Sequence, residues 1–169
     1  MGKSIYALII LCVMVFVVGC NEDSIIEWQN SKEDAVKAGL KEEGADSKSI
    51  LSIEDFEGET FMVYEYRGGL GVANIVKSEK GFGWNRSQPY YDFEVYGGGL
   101  PYSIAGYEIE METGLIVYVL IGKTFDSSIR EMQISGDGSV RKVKVNEKSG
   151  FFYAIHKLPF NKVDVSIVK

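Results

Sequence analysis

The feature that most constrains this fold is a regular alternation of β-favouring runs and glycine-containing turns from Ser49 onward. Runs such as residues 60–66 and 115–121 are rich in β-branched and aromatic side chains, and a turn follows about every ten residues. Asp137-Gly138 lies between two such runs, and this dipeptide is typical of a tight hairpin. The spacing therefore predicts antiparallel strands joined by hairpins, in a protein that is mainly β.

A single helix is predicted ahead of the strands. Ser31 with Asp34 three residues later is a variant of the capping box that begins many helices, and Gly44 suits a helix end. An apolar stripe at helical spacing lies between them, formed by Ala35, Val36 and Leu40. The chain is therefore predicted to be α+β and mainly β, with this helix packed on an antiparallel meander.

The strongest interruption in the strand pattern is Gly97-Gly98-Gly99, which Pro101 follows. We predict a boundary there, with the helix and meander in residues 34–99. Residues 100–169 hold six predicted strands, enough for a small Ig-like β-sandwich, although the Cys…Trp…Cys signature of antibody domains is missing.

The N-terminus has the composition of an export signal. Lys3 precedes an uncharged apolar run from Ile5 to Val18, which is shorter than the roughly 20 residues of a membrane-spanning helix. Polar residues 21–24 follow directly. A basic N-terminus, then a short apolar segment and then polar residues together predict a secretory signal peptide.

Val17-Val18-Gly19-Cys20 resembles the lipobox of bacterial lipoproteins. The resemblance implies a signal peptide at residues 1–19, cleavage before Cys20 and a diacylglyceryl group on the Cys20 sulfur. Residues 20–33 would then be the lipidated cysteine and a tether, and the protein would be anchored to the cell membrane, facing outside the cytoplasm. The alternatives are an uncleaved anchor helix and a cysteine that follows an apolar run by chance.

The remainder of the chain is similar to small uncharacterised lipoproteins of Gram-positive bacteria. The similarity lies in three segments: Asp34-Ala-Val-Lys-Ala-Gly-Leu-Lys-Glu-Glu-Gly44, Leu70-Gly-Val-Ala-Asn-Ile-Val76 and the Gly-Phe-Gly-Trp84 region. It implies a location and an architecture, and it carries no activity with it.

Charge and cysteine content narrow the possible partners. The formal net charge is −6, and because Lys3 is the only charged residue before Cys20, the rest of the chain is one unit more negative. An acidic surface disfavours nucleic acid and anionic polymers. Cys12 lies within the predicted signal peptide, so the exported domain would have no disulfide and would depend on an apolar core.

Few residues suit catalysis. His156 is the only histidine, no G-x-S-x-G segment is present, and a single histidine does not build a zinc site. We therefore predict no catalytic residue, metal or cofactor, and a strand-end surface position for His156. The rival prediction is a glycan hydrolase that uses carboxylates alone, for which Glu54, Asp55 and Glu59 are the local candidates.

A cluster of aromatic residues offers a candidate binding site. Within the stretch from Trp84 to Tyr107, we predict that Trp84, Arg86, Tyr90 and Tyr91 contact a partner, because rigid rings edged by polar groups make good contact surfaces. The alternative is that these rings pack within the core. The predicted function is a non-enzymatic binding or envelope-assembly module, whose partner is a cell-envelope protein or a wall glycan and not nucleic acid.

Overall fold

The computed structural model describes residues 26–86, 88–93, 99–136 and 138–168. The predicted signal peptide, Cys20, the Gly97-Gly98 pair and Asp137 lie outside these residues. The described part is mainly β, with one α-helix and antiparallel sheets, which confirms this part of the predicted fold class.

The bounds of the elements follow the predicted order. They are β1 Trp28–Gln29, α1 Lys32–Glu42, β2 Ile50–Phe56, β3 Glu59–Tyr66, β4 Gly69–Ser78, β5 Gly81–Asn85, β6 Tyr102–Glu110, β7 Ile116–Thr124, β8 Glu131–Gly136, β9 Ser139–Lys144, β10 Phe151–His156 and β11 Asp164–Ile167. Short 3-10 turns occupy Ser47–Ser49 and Phe160–Lys162.

The strands form three antiparallel sheets. Sheet A has the order β1-β5-β4-β3-β2, sheet B the order β10-β7-β6, and sheet C the order β11-β8-β9. Strand β1 corrects the sequence analysis, which assigned residues 20–33 to a tether. Trp28 instead pairs with Gly83 and Gln29 with Phe82, so the chain enters sheet A before the helix begins.

Local sequence explains both ends of helix α1. The Ser31 hydroxyl accepts a hydrogen bond from the Asp34 backbone N–H, as its predicted capping role requires. At the other end Gly44 adopts a φ of 74°, and the N–H groups of Gly44 and Ala45 donate to the carbonyls of Lys41 and Leu40. This is the Schellman arrangement, in which glycine at the left-handed position closes the last turn.

Three apolar cores lie between successive layers. The first core joins sheets A and B, and its members include Phe61, Val63, Leu70, Val72, Val117, Val119, Ile121, Phe151 and Ile155. The second core lies between α1 and the other face of sheet A, and contains Ala35, Val36, Leu40, Met62, Tyr64, Ala73 and Ile75. The third core joins sheets B and C, and contains Leu120, Ile129, Met132, Ile134, Val145, Phe152 and Ala154. The layers therefore follow the order α1, A, B, C.

The first core draws on both sides of the predicted boundary at residue 99. Phe61 and Val72 come from the N-terminal part, whereas Val119 and Ile121 come from the C-terminal part, and all four are buried. The two predicted parts therefore share apolar packing, and whether they unfold as separate domains stays a prediction that a mutation in this core tests.

Candidate functional site

The predicted binding residue Trp84 lies beneath helix α1. It is half-buried on β5, with its ring 5.5 Å from the ring of Tyr64, and it packs against the second core. A Cβ atom on Gly39 would overlap the Trp84 ring, so the glycine creates the space in which the indole lies. The missing side chain at position 39 thus lets α1 approach the sheet closely.

Arg86 and Tyr90 meet on one carboxylate of helix α1. The Arg86 Nε donates to the Glu43 Oε1 at 2.6 Å, and the Tyr90 hydroxyl donates to the Glu43 Oε2 at 2.9 Å. The Arg86 guanidinium also lies 4.8 Å from the centroid of the Tyr90 ring and donates to the Gln88 carbonyl. These contacts fix the loop after β5 against the end of the helix.

Burial and neighbouring charges shift the pKa values of Tyr90 and Arg86. Desolvation raises the pKa of the Tyr90 hydroxyl. Burial alone would lower the pKa of the Arg86 guanidinium, but the hydrogen bond and the charge of Glu43 outweigh it and raise that pKa. The Arg86 guanidinium therefore stays charged throughout the physiological pH range.

Tyr91 differs from the other three predicted binding residues. It is 37 % exposed, its backbone pairs with Leu70, and its ring lies 4.5 Å from that of Phe93. The structure thus brings Trp84, Arg86 and Tyr90 together as half-buried side chains around α1, and leaves Tyr91 as the exposed member. Binding by these four residues stays a prediction, and among them the structure shows Tyr91 alone as an exposed ring.

The three candidate carboxylates do not converge. Glu59 is buried at 9 % exposure, and its two oxygens accept from the Asn74 side-chain amide at 2.9 Å and from the Glu112 backbone N–H at 2.8 Å. Asn85 in turn donates to the Asn74 side chain at 3.0 Å. Glu59, which the sequence analysis named as a candidate catalytic carboxylate, therefore anchors the β6–β7 turn to sheet A.

Glu54 and Asp55 point to opposite faces of β2, as consecutive strand residues must. Asp55 accepts from Thr60 and Lys32 on the helix side, and these hydrogen bonds lower its pKa. Glu54 faces the other way and lines a cleft of about 350 Å³. Burial raises the pKa of Glu54, and the charge of Arg141 offsets part of this increase.

The raised pKa of Glu54 gives a pH-dependent prediction. Because the folded state favours protonated Glu54, the ionised carboxylate costs stability at neutral pH, and this cost disappears as the pH falls through the pKa. Glu54→Gln should therefore be more stable than the unmodified chain at pH 7, by less than about 1 kcal/mol since the group is half exposed. The difference in thermal unfolding should vanish near pH 4, and Glu108→Gln, at an exposed strand position, is the control. A gain that is equal at both pH values would contradict the assignment.

His156 does not occupy the predicted surface position. It is half-buried, and its ring lies stacked 6.2 Å from Tyr118 and edge-on 6.1 Å from Phe160. Both ring nitrogens are shielded from solvent. The predicted strand end is confirmed, since His156 is the last residue of β10, but aromatic neighbours cover the ring.

Sequence analysis did not identify the two grooves that lie on either face of the edge strand β2. On the helix side, an apolar groove of about 550 Å³ runs between β2 and α1, and its lining includes Val36, Leu40, Ala45, Ile50 and Ile53. Ile53 is 49 % exposed, and three lysines on the rim are Lys32, Lys37 and Lys41. Ile50 and Ile53 share the helix-side face because the register shifts between Ile50 and Ser52, which the sequence pattern does not show.

The cleft that Glu54 lines is the second groove. Leu51 and Glu54 of β2 form one wall, Arg141, Val143 and Lys144 of β9 form the other, and Tyr153 and Ala154 of β10 form the floor. The Arg141 guanidinium donates to the Ile155 carbonyl at 2.9 Å, which holds it at the side of the cleft. The cleft therefore combines apolar side chains with charges of both signs, whereas the helix-side groove is mainly apolar.

Comparisons with known proteins identify no relative. Neither the family models, nor the curated proteins, nor the solved structures contain a match to this chain. The predicted lipobox and the similarity to Gram-positive lipoproteins therefore stay predictions.

Two further observations concern the described residues alone. They contain no group of three or more histidine, cysteine or acidic side chains placed to hold a metal ion. They also contain no helix with the length and apolarity needed to cross a membrane.

Proposed function

We propose that this chain is a membrane-anchored extracytoplasmic lipoprotein that acts as a non-enzymatic binding or envelope-assembly module. The anchor would be a diacylglyceryl group on Cys20, and the partner would be a cell-envelope protein or a wall glycan. The observation that carries the binding role is the arrangement of β2, an edge strand with a groove on each face. Such an edge offers unpaired backbone groups and side-chain pockets together.

We further propose that sheets B and C form an Ig-like sandwich. Strand order β6-β7-β10 corresponds to strands A-B-E of that fold, and β9-β8-β11 corresponds to C′-C-F. The third core between the two sheets supports this assignment. No described strand takes the place of G beside β11.

The geometry around Glu54 favours binding over glycan hydrolysis. Hydrolysis by carboxylates needs two such groups on opposite sides of the scissile bond. Among the described residues that line the cleft, Glu54 is the one carboxylate, and both oxygens of Glu59 are occupied by Asn74 and Glu112. We therefore keep the hydrolase as the rival hypothesis and do not propose it.

The anchoring part of the proposal predicts a change in cell fractionation. Cys20→Ser removes the thiol that would accept the lipid, so the variant should lose labelling by a radioactive fatty acid and leave the membrane fraction. Cys12→Ser, within the predicted signal peptide, is the matched control and should behave as the unmodified chain does. Membrane partitioning that persists in Cys20→Ser without any label would show that the attachment is not this lipid.

A further inference from the structure

The backbone of strand β2 is available for pairing on one side. Within the described residues β2 pairs with β3 alone and forms the edge of sheet A. The two-residue turn Glu57-Gly58, with φ values of 52° and 91°, makes Phe56 and Glu59 a hydrogen-bonded pair. Because such pairs alternate along an antiparallel ladder, the N–H and C=O groups of Ile53 and Asp55 point away from β3.

The two grooves lie where the side chains of an added strand would project. A strand paired with β2 would direct alternate side chains to opposite faces of sheet A. One set would enter the apolar groove beside Ile53, Val36 and Leu40. The other set would enter the cleft beside Arg141 and Lys144.

The charge around β2 differs from that of the whole chain. The linings of the two grooves contain the cations Lys32, Lys37, Lys41, Arg141 and Lys144, and the anions Glu33, Asp46 and Glu54. Asp55 of β2 adds a fourth anion and pairs with Lys32 at 3.1 Å, so cations exceed anions here by one, whereas the chain has a formal net charge of −6. An acidic side chain in the cleft would meet Arg141, and acidic groups at the rim would meet the lysines of α1.

We propose that β2 binds an extended peptide segment of a partner protein, with apolar and acidic residues in alternation, as an added strand of sheet A. Backbone hydrogen bonds to Ile53 and Asp55 would supply affinity, and the two grooves would supply specificity. The apolar residues lie over the groove beside α1, and the acidic residues face Arg141. This inference rests on the proposed binding role and is independent of the lipid anchor.

The probe is a fluorescein-labelled peptide, Thr-Val-Asp-Val-Asp-Val-Thr, and its matched control carries lysine in place of both aspartates. Fluorescence anisotropy with the full chain in detergent should give saturable binding of the acidic peptide, and affinity at least about ten-fold lower for the lysine peptide. Hydrogen exchange should slow in residues 50–56 and stay unchanged in residues 81–86. Absence of saturable binding, equal affinity for both peptides, or protection elsewhere would overturn the proposal.

Variants of the edge strand sharpen the test. Ile53→Pro removes an N–H that points to solvent, a change that edge strands tolerate, and should abolish binding, whereas Ile53→Val should retain it. Arg141→Glu should weaken the acidic peptide about ten-fold and strengthen the lysine peptide. Lys142→Glu makes the same charge change on the same strand outside the cleft, and should alter neither affinity.

One outcome separates this site from the broader function. If envelope proteins are captured equally by the unmodified chain and by folded Ile53→Pro, the binding role survives and the β2 site is wrong. If Arg141→Glu proves unfolded by circular dichroism, Ile53→Pro decides the question alone.

Discussion

Replacing Ile121 by alanine is expected to lower the free energy of unfolding by about 2–5 kcal/mol. Ile121 lies in the centre of sheet B, has no exposed surface, and packs in the first core with residues of sheet A. Truncation there would leave a cavity between two sheets, because neither sheet moves freely to fill it. Urea unfolding followed by tryptophan fluorescence measures the effect.

Both tryptophans lie in sheet A, so their fluorescence measures the unfolding of that sheet. Trp28 and Trp84 lie in strands β1 and β5, whereas the substitution is in sheet B. If the sheets unfold in one cooperative transition, Ile121→Ala should lower the urea midpoint of the tryptophan fluorescence. The matched control Ile121→Val removes one methyl group and should cost only about 0.5–1.5 kcal/mol. If hydrogen exchange in β7 accelerates while the fluorescence midpoint stays unchanged, residues 34–99 and 100–169 unfold separately, as the sequence-based boundary predicts.

The strands were predictable because their signals are local. The run predicted at residues 60–66 forms β3, and the turns at Glu57-Gly58 and Arg67-Gly68 each contain a glycine with positive φ. Helix α1 was also predictable, since Ser31 and Gly44 mark its ends through contacts within a few residues. Such features depend on short stretches of chain, where composition and spacing decide the conformation.

The neighbours of the candidate site residues could not be predicted in this way. Glu43 meets Arg86 and Tyr90 across 43 and 47 residues of sequence, and Glu59 meets the Glu112 backbone across 53. Local sequence does not distinguish an exposed carboxylate from a buried one, because the hydrogen-bond partners that permit burial lie far away along the chain. The short strand β1 was missed for the same reason, because its pairing with β5 is a long-range contact.

Trp84→Ala is the second substitution with a large expected effect, a loss of about 3–5 kcal/mol. The indole fills the space above Gly39 and contacts Tyr64, so its removal would separate α1 from sheet A. For a domain of this size each kcal/mol lowers the melting temperature by about 2–4 °C, which predicts a fall of at least about 6 °C. Thermal unfolding followed by circular dichroism measures it, since that signal does not depend on the indole.

The same variant decides whether Trp84 is a core residue or a binding residue. Tyr91→Ala is the control, because its ring is the exposed member of the predicted set and its loss should cost no more than about 1 kcal/mol. A melting temperature of Trp84→Ala that stays within a few degrees of the unmodified chain, together with lost capture of an envelope partner, would restore the aromatic binding site. A large fall with unchanged capture by the remaining folded fraction would establish that the indole holds the helix on the sheet, and would leave the edge of β2 as the binding surface.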